Sequence, residues 1–336
     1  MLLSRSLSYA ALLAATTLAQ PALASDLKVV VTSKPIHALA AAIMEGVGQP
    51  KLLVEGSASP HTFALKPSGA AAINAADVFF RVSGSIEPFS EKISAALPAS
   101  VMLVTLADTP GLTLLDQRSG ATFEAHDHGE HGHDDHAAHD KAEHEHEHGH
   151  DHADHDDDDD EHGGKDGHVW LDPDNAKLMA GKIAAVLSEK DAAHAANYAA
   201  NAAKLTARID ELKTEIGNQT KSLEGRPFIV FHDAYQYFEN RFGLHAAGSI
   251  TVSPDVQPSA KRLTALRRKI AKLDAACVFA EPLFQPKLVA AVTEGTKARS
   301  GTLDPEGISL DPGPELYFTL MRTLSANLSN CLKPTT

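Results

Sequence analysis

Short apolar runs that alternate with helical stretches constrain the fold of this chain more than any other feature. Four such runs, beginning with Val29–Val31, lie before residue 110, and four more follow Gly225. The runs are continuously apolar, as strands buried on both faces of a parallel sheet are. This pattern predicts an α/β protein with two lobes of the (βα)4 type, each built on a mainly parallel sheet.

A long helical stretch separates the two series of strands. Leucine and isoleucine recur at helical spacing between residues 191 and 223, and Gly225 ends the pattern. A helix of about 30 residues is about 45 Å long, enough to join two lobes. We expect a signal peptide over residues 1–24, an N-terminal lobe over 25–185, a linking helix over 186–224 and a C-terminal lobe over 225–336.

The first 24 residues are typical of a secretory signal peptide. Arg5 precedes a run of leucine and alanine, and Ala22–Ala24 fits the small-residue cleavage pattern. The run is too short for a membrane anchor, and Gln20 and Pro21 interrupt it. No cysteine near the cut could accept a lipid. We therefore expect a protein exported to the periplasm.

The two cysteines of the chain, Cys277 and Cys331, lie far from the signal peptide. Exported proteins experience an oxidising compartment, where two cysteines are expected to pair. Closing a loop of that length stabilises a fold by about 4 kcal/mol in the chain-entropy estimate. The sequence therefore predicts one disulfide.

A low-complexity insert runs from about Glu124 to Gly167 and accounts for the acidity of the chain. The net charge of the chain is −14; counted as far as Asp166, the insert holds 18 acidic residues and 2 lysines, so the remainder is close to neutral. Nothing there suggests a nucleic-acid partner. The insert has no apolar periodicity, and we expect it to be disordered.

Thirteen of the 19 histidines lie in this insert. Acidic runs are usually only solvated, but imidazoles alternating with carboxylates offer many nitrogen and oxygen ligands. We expect several weakly bound ions and a role as zinc collector or sensor. The insert histidines are His126, His128, His131, His133, His136, His139, His144, His146, His148, His150, His152, His155 and His162.

Three of the other histidines fall near ends of predicted strands. His61 follows the second strand, His232 follows the strand predicted over 227–231, and His168 marks the point where the fold resumes after the insert. Ligands of open α/β sheets bind outside the carboxyl ends of strands. Three imidazoles around one ion are typical of zinc. Asp304, after the last strand, would supply a carboxylate ligand in the cleft between the lobes.

The remaining histidines are not predicted to be ligands. His37 follows the first strand and is expected at the surface, with a position behind the ligands as the alternative. His194 lies in an alanine-rich helix and is expected to be exposed. His245 falls inside a strand pattern, which favours a structural role.

Six short motifs contain the predicted ligands and their neighbours. They are Thr32–His37, Ser59–Phe63, Leu65–Ser68, His168–Pro173, Val230–Tyr235 and Gly301–Pro305. In this order, with a histidine-rich insert before the second ligand, the chain resembles the zinc-specific solute-binding proteins of ABC importers, within the cluster A-I superfamily. The resemblance covers nearly the whole mature chain. It implies two lobes, a rigid linking helix and a metal buried between the lobes.

The resemblance also implies roles for particular residues. The ligands of the family fall on His61, His168 and His232, and its carboxylate falls on Asp304. Manganese-binding relatives usually carry a carboxylate at the third position, so the histidine there favours zinc. The disulfide of the family corresponds to the predicted cysteine pair. Many zinc members carry glutamate where this chain has Pro60, which leaves Asp304 or water as the fourth ligand.

The predicted function is capture of Zn²⁺ with high affinity and its delivery to an ABC importer. The protein is expected to be a monomer, not an enzyme, and its partners are the inner-membrane permease and the associated ATPase. One alternative is a zinc hydrolase or lyase that keeps a water on the metal, with Glu306 or Asp233 as a base. Another is a periplasmic zinc buffer without a transporter.

Overall fold

The structure is a computed structural model that describes residues 26–118, 120, 122–123, 164–251, 253–254, 256–283 and 286–333. The predicted signal peptide and the thirteen insert histidines lie outside these residues. The strands are β1 Val29–Val31, β2 Lys51–Leu52, β3 Val78–Arg81, β4 Met102–Thr105, β5 Phe228–His232, β6 Ala246–Thr251, β7 Cys277–Ala280 and β8 Arg299–Thr302. The α-helices are α1 Lys34–Ile43, α2 Pro67–Asn74, α3 Pro88–Ser94, α4 Pro173–Lys190, α5 Ala195–Thr220, α6 Gln236–Phe242, α7 Ala260–Leu273, α8 Pro286–Thr293 and α9 Leu316–Leu332.

Each half of the chain forms a four-stranded parallel sheet. The first has the order β2-β1-β3-β4 and the second β6-β5-β7-β8. The central strands β1 and β5 are buried along their whole length, because helices cover both faces of each sheet. The predicted pair of α/β lobes with parallel sheets is confirmed.

Helix α5 lies against elements of both halves of the chain. Its buried stripe consists mainly of Leu205, Ile209, Leu212 and Ile216, and the helix packs against α1, α4 and α9. The helix is shorter than the predicted stretch of residues 191–223, since 3₁₀ turns over 192–194 and 221–223 flank it. The long joining helix is present. The domain boundaries drawn from the sequence stay predictions.

The predicted disulfide is confirmed. Cys277 begins strand β7 and Cys331 lies near the end of α9, and their sulfur atoms are bonded. The bond therefore fastens the last helix of the described chain to its second sheet. A separate finding concerns the helices: within the described residues, none is long and apolar enough to cross a membrane.

Candidate metal centre

Three imidazoles from distant parts of the chain meet in one cluster. The Nε2 atom of His168 lies 3.3 Å from that of His61 and 3.4 Å from that of His232. One ligand atom from each ring lies within 4.8 Å of the others, which is a spacing that one metal ion can span. The structure thus brings together the three histidines predicted from the sequence.

Different local structures position the three rings. His232 is the last residue of β5, and His61 lies in the loop that follows β2. The expectation that His168 lies near a strand end is wrong, because the residue precedes a 3₁₀ turn over Val169–Leu171. The backbone N–H of His168 donates to Asp166 Oδ1 at 3.0 Å, and this contact holds the chain where it re-enters the fold.

Carboxylates behind two of the rings orient them. Nδ1 of His168 donates to Asp166 Oδ1 at 2.7 Å, and Nδ1 of His232 donates to both Glu281 oxygens at 2.8 Å. Because these Nδ1 atoms carry the proton, the Nε2 lone pairs face the cluster, ready to bind a metal. The tautomers follow from the neighbouring acceptors. The sequence analysis missed both carboxylates.

The two supported imidazoles differ in proton affinity. Burial lowers the pKa of His168 well below 6.5, and the neighbouring His232 lowers it further. Burial would also lower the pKa of His232, but the Glu281 carboxylate outweighs it, so that this pKa is raised. The cluster therefore combines a ring that stays neutral with a ring that holds its proton more tightly.

Glu306 places a carboxylate beside an Nε2 atom of the cluster. Its Oε1 lies 3.5 Å from His61 Nε2 and accepts from Ser59 Oγ at 3.2 Å. Its Oε2 is buried and makes no hydrogen bond to any described residue. Burial raises the pKa of Glu306 to about 8. A divalent cation would give this side chain a partner and favour its ionised form.

Asp304 occupies a different place in the same loop. Its Oδ1 accepts from the backbone N–H of Ile308 and its Oδ2 from that of Ser309, both at 3.0 Å. Asp304 is therefore not among the residues that the structure gathers into the cluster. Its assignment as a ligand stays a prediction, and ligation would compete with the two hydrogen bonds that shape the loop.

Side chains from the first half of the chain hold this loop. Lys34 Nζ donates to the carbonyl oxygens of Ile308 at 2.6 Å and Leu310 at 2.8 Å. Trp170 Nε1 donates to the carbonyl oxygen of Pro305 at 2.9 Å. The loop that presents Glu306 is thus fixed by residues that lie more than 130 positions earlier in the sequence.

An arginine forms the ionic support beneath the site. Arg118 donates through Nε to Asp233 and at 2.9 Å to both oxygens of Glu239, and its guanidinium lies 4.0 Å above the Phe123 ring. Burial would lower the pKa of Arg118, but the two carboxylates raise it. The pKa of Asp233 itself is raised to about 6 by burial, despite the arginine. Asp233 is committed to this pair rather than free to act as a base.

The cavity at the cluster is small. It has a volume of about 60 Å³ and is lined by the three histidines together with Asp166 and Asp233, among others. A water molecule occupies about 30 Å³ in the liquid, so the cavity has room for an ion and little else. A larger groove of about 790 Å³ includes Ser59 but none of the three histidines. The three histidines therefore line a small polar cavity of a size that suits a metal ion.

The other described histidines have mixed outcomes. The expectation that His37 is at the surface is wrong: its exposed fraction is 8%, and its Nε2 contacts the carbonyl oxygen of Pro50 at 3.1 Å. The expectation that His194 is exposed is also wrong, because the residue is partly buried in a 3₁₀ turn with its Nδ1 2.8 Å from Asp191. His245 lies one residue before β6 rather than inside a strand, and its structural role stays a prediction.

Comparisons with known proteins agree with a zinc-binding role for the histidine cluster. The ZnuA family, described as zinc-uptake complex component A, periplasmic, matches residues 29–331. The high-affinity zinc uptake system protein ZnuA of Brucella abortus (strain 2308) is 48% identical over 304 residues, which cover 90% of this chain and 91% of that protein. The protein of the same name from Yersinia pestis is 35% identical, covering 97% and 98% of the two chains. A crystal structure of ZnuA has a TM-score of 0.70 at 25% identity, covering 92% of this chain and all of that one.

Two α/β lobes with parallel sheets and a buried imidazole cluster define a metal-binding protein. The relatives are components of zinc uptake systems. The chain belongs to the ZnuA family, the periplasmic zinc-binding component of zinc uptake. Members of this family are substrate-binding components of ABC transporters and not enzymes. The resemblance drawn from the sequence motifs is confirmed, and zinc is the cargo.

Proposed function

We propose that His61, His168 and His232 bind one zinc ion tightly through their Nε2 atoms. The convergence of these atoms within 4.8 Å is the observation that carries the proposal. Neutral imidazoles are good zinc ligands, and carboxylates behind two of the rings strengthen them as donors. Replacing all three by alanine should abolish one tight equivalent in a zinc titration while weaker ones remain. Unchanged tight binding would overturn the assignment.

The fourth ligand is a carboxylate or water. Asp304 is the residue predicted from the sequence motif, whereas Glu306 has its carboxylate 3.5 Å from His61 Nε2. We favour Glu306, because Asp304 already accepts two backbone hydrogen bonds. Glu306→Gln should weaken zinc binding more than Asp304→Asn does. The reverse order would assign the ligand to Asp304, and two unchanged affinities would assign it to water.

Delivery to a permease is the second part of the proposal. The protein would be made with a cleavable signal peptide over residues 1–24, act as a periplasmic monomer, and pass zinc to an inner-membrane permease driven by its ATPase. Membership in an uptake-system family supports this role. Vesicles containing the permease and ATPase should accumulate zinc only when the wild-type protein is present, and the triple alanine variant should not support uptake. Uptake that is independent of the protein would favour the zinc-buffer alternative.

The insert is proposed to collect or sense zinc at low affinity. Its thirteen histidines alternate with carboxylates, a pattern that provides several flexible sites. Deleting residues 126–162 should lower the number of bound zinc ions more than it lowers the affinity of the tight site. Equal stoichiometry in the two proteins would remove the insert from zinc binding.

The hydrolase alternative is not favoured. The 60 Å³ cavity leaves little room for an organic substrate beside a metal ion. Of the two bases considered, Asp233 is paired with Arg118, and the family to which the chain belongs is a binding component of zinc uptake.

A further inference from the structure

Helix α7 carries an unusual concentration of positive charge. Its sequence, Ala260–Leu273, contains six basic residues and no acidic one. Lys261, Arg268 and Lys272 are exposed and follow one another at intervals of seven and four, so they lie along one face of the helix. The chain outside the insert, this helix included, is nearly neutral, so a helix with six basic residues stands out. We call these three residues the basic stripe.

Part of the positive charge on the basic stripe has no ionic partner among the described residues. Among the described residues, neither Arg268 nor Lys272 forms an ion pair. Among the described residues, the acidic side chains near the helix include Glu294, which lies 3.9 Å from Arg267, the exposed Asp274 at the end of the helix, and Asp233, whose charge acts on Arg262. A surface with this excess of positive charge attracts an anionic partner.

The acidic insert of the same chain is a candidate for this partner, because the segment before it contacts the helix. Phe123 is the last described residue before the insert. Its carbonyl oxygen accepts from Lys269 Nζ at 2.8 Å, and its N–H donates to the carbonyl oxygen of Ala247 at 3.0 Å. The guanidinium of Arg118 also lies over its ring. The described chain before the insert therefore ends at a residue that contacts α7.

The insert has the charge and the length to cover the stripe. Residues 124–163 contain 17 acidic residues and one lysine, and five of the acidic residues fall within 124–135. A 14-residue helix is about 21 Å long, which about seven extended residues span. Because the segment is tethered, its effective concentration at the helix is in the millimolar range. Several weak ion pairs can then act together.

We propose that the acidic insert docks on the basic stripe of α7 when it carries no metal. Each exposed ion pair contributes little alone, so the contact depends on several charges and on low salt. Zinc binding adds positive charge to the insert and weakens the contact. This last link rests on the proposed metal binding by the insert. Zinc would thereby release the insert from α7.

Carbodiimide cross-linking of the metal-free protein tests the docking, because it joins carboxylates to lysines only when they touch. Mapped by mass spectrometry, links from residues 124–163 should reach Lys261 and Lys272 at least fivefold more often than the exposed Lys182 and Lys190 of α4. At 0.5 M NaCl the excess should disappear. Equal yields at all four lysines at low salt would overturn the proposal. So would binding of α7 to phosphatidylglycerol vesicles without internal links, which would identify a lipid surface as the partner.

A matched pair of variants sharpens the test. Arg268→Gln removes charge from the stripe but leaves both reporter lysines, and it should lower their cross-link yield by about 1.5- to 5-fold, as expected for one exposed ion pair. Lys92→Gln removes the same charge from exposed α3 and should leave the yield unchanged. Equal effects of the two variants would contradict docking at α7. Saturating zinc should remove the excess, and zinc stoichiometry on the same samples tells a failed release from a failure of the insert to bind zinc.

Discussion

The surroundings of His168, from the first half of the chain, and of His232, from the second, look alike but act in opposite directions. Each ring donates from Nδ1 to a buried carboxylate, at 2.7 Å to Asp166 and at 2.8 Å to Glu281. Yet the pKa of His168 is lowered while that of His232 is raised. A carboxylate at hydrogen-bond distance does not by itself decide the charge of an imidazole.

Burial and the neighbouring His232 lower the pKa of His168, whereas the Glu281 carboxylate raises the pKa of His232 against the effect of burial. Burial raises the pKa of Asp166 to about 7, so this side chain is only partly ionised at neutral pH. Glu281 turns both oxygens toward His232 and also accepts from Tyr235 at 3.2 Å. The first half of the site therefore holds a neutral ring beside a partly protonated carboxylate, and the second holds a ring whose bound proton Glu281 stabilises.

The largest expected effect comes from replacing Arg118, because its guanidinium interacts with carboxylates near both His168 and His232. Arg118 neutralises Asp233, next to His232, and also lowers the pKa of Asp166. Arg118→Met should lower the free energy of unfolding by about 3–5 kcal/mol, because buried carboxylates lose their partner. Urea denaturation measures this. The control, Arg322→Met, breaks a half-exposed pair with Glu215 and should cost less than about 1 kcal/mol; similar losses in the two variants would refute the role of Arg118.

Next in size are substitutions of the two carboxylates. Glu281→Gln should weaken zinc binding by about 100-fold and Asp166→Asn by about 10-fold, the range found for groups that support metal ligands. The order follows because Asp166 is only partly ionised at neutral pH, whereas the charge of Glu281 raises the pKa of its ring. Competition titrations against a zinc chelator measure both affinities. Equal losses would mean that geometry, and not charge, is what the carboxylates supply.

The pH dependence of zinc binding separates the two rings. The pKa of His232 is raised, so protons compete with zinc already above pH 6.5, and the affinity should fall by up to about tenfold per pH unit below that point. His168, with its lowered pKa, adds no competition there. In Glu281→Gln the onset should move to lower pH. An unchanged onset would mean that Glu281 does not set the proton affinity of His232.

The protonation of Glu306 should couple zinc binding to the release of a proton near neutral pH. Its pKa of about 8 means that zinc must displace a proton if this carboxylate is a ligand. Calorimetry in buffers of different ionisation enthalpy should show about one proton fewer released at pH 7 in Glu306→Gln than in the wild type. Equal proton release would show that Glu306 stays protonated beside the metal.

The smallest expected effect tests the support of the Glu306 loop. Trp170→Phe removes the hydrogen bond to the carbonyl oxygen of Pro305 but keeps an aromatic ring in the core. The free energy of unfolding should fall by about 1 kcal/mol, and zinc affinity should fall only slightly. A large loss of affinity with unchanged stability would mean that this contact positions Glu306 directly.

The sequence predicted much of the fold because buried parallel strands have a local signature. Strand β1 coincides with the first predicted run, Val29–Val31, whereas α5 is shorter than the helical stretch predicted over 191–223. Burial of His37 was missed because its partner, the carbonyl oxygen of Pro50, is a backbone atom 13 residues away. Such a contact leaves no mark in the sequence.

The candidate site was predictable where a ligand follows from local pattern. His232 ends a strand, and the same rule would have found Glu281, which directly follows β7. Glu306 was considered only as a base, because the turn of its loop depends on Asp304 and on Lys34, 270 residues earlier. The sequence reveals which residues stand at strand ends, but not which way a loop turns them.

The contacts of Lys34 and Trp170 with the 304–310 loop have a consequence for the release of zinc. Both side chains precede helix α5 in the sequence, and both donate hydrogen bonds to backbone carbonyl oxygens that follow it. Any parting of the lobes must break these bonds together with the metal bonds. Spontaneous dissociation of the ion is thereby slowed. Release of zinc requires that the hydrogen bonds of this loop break as well.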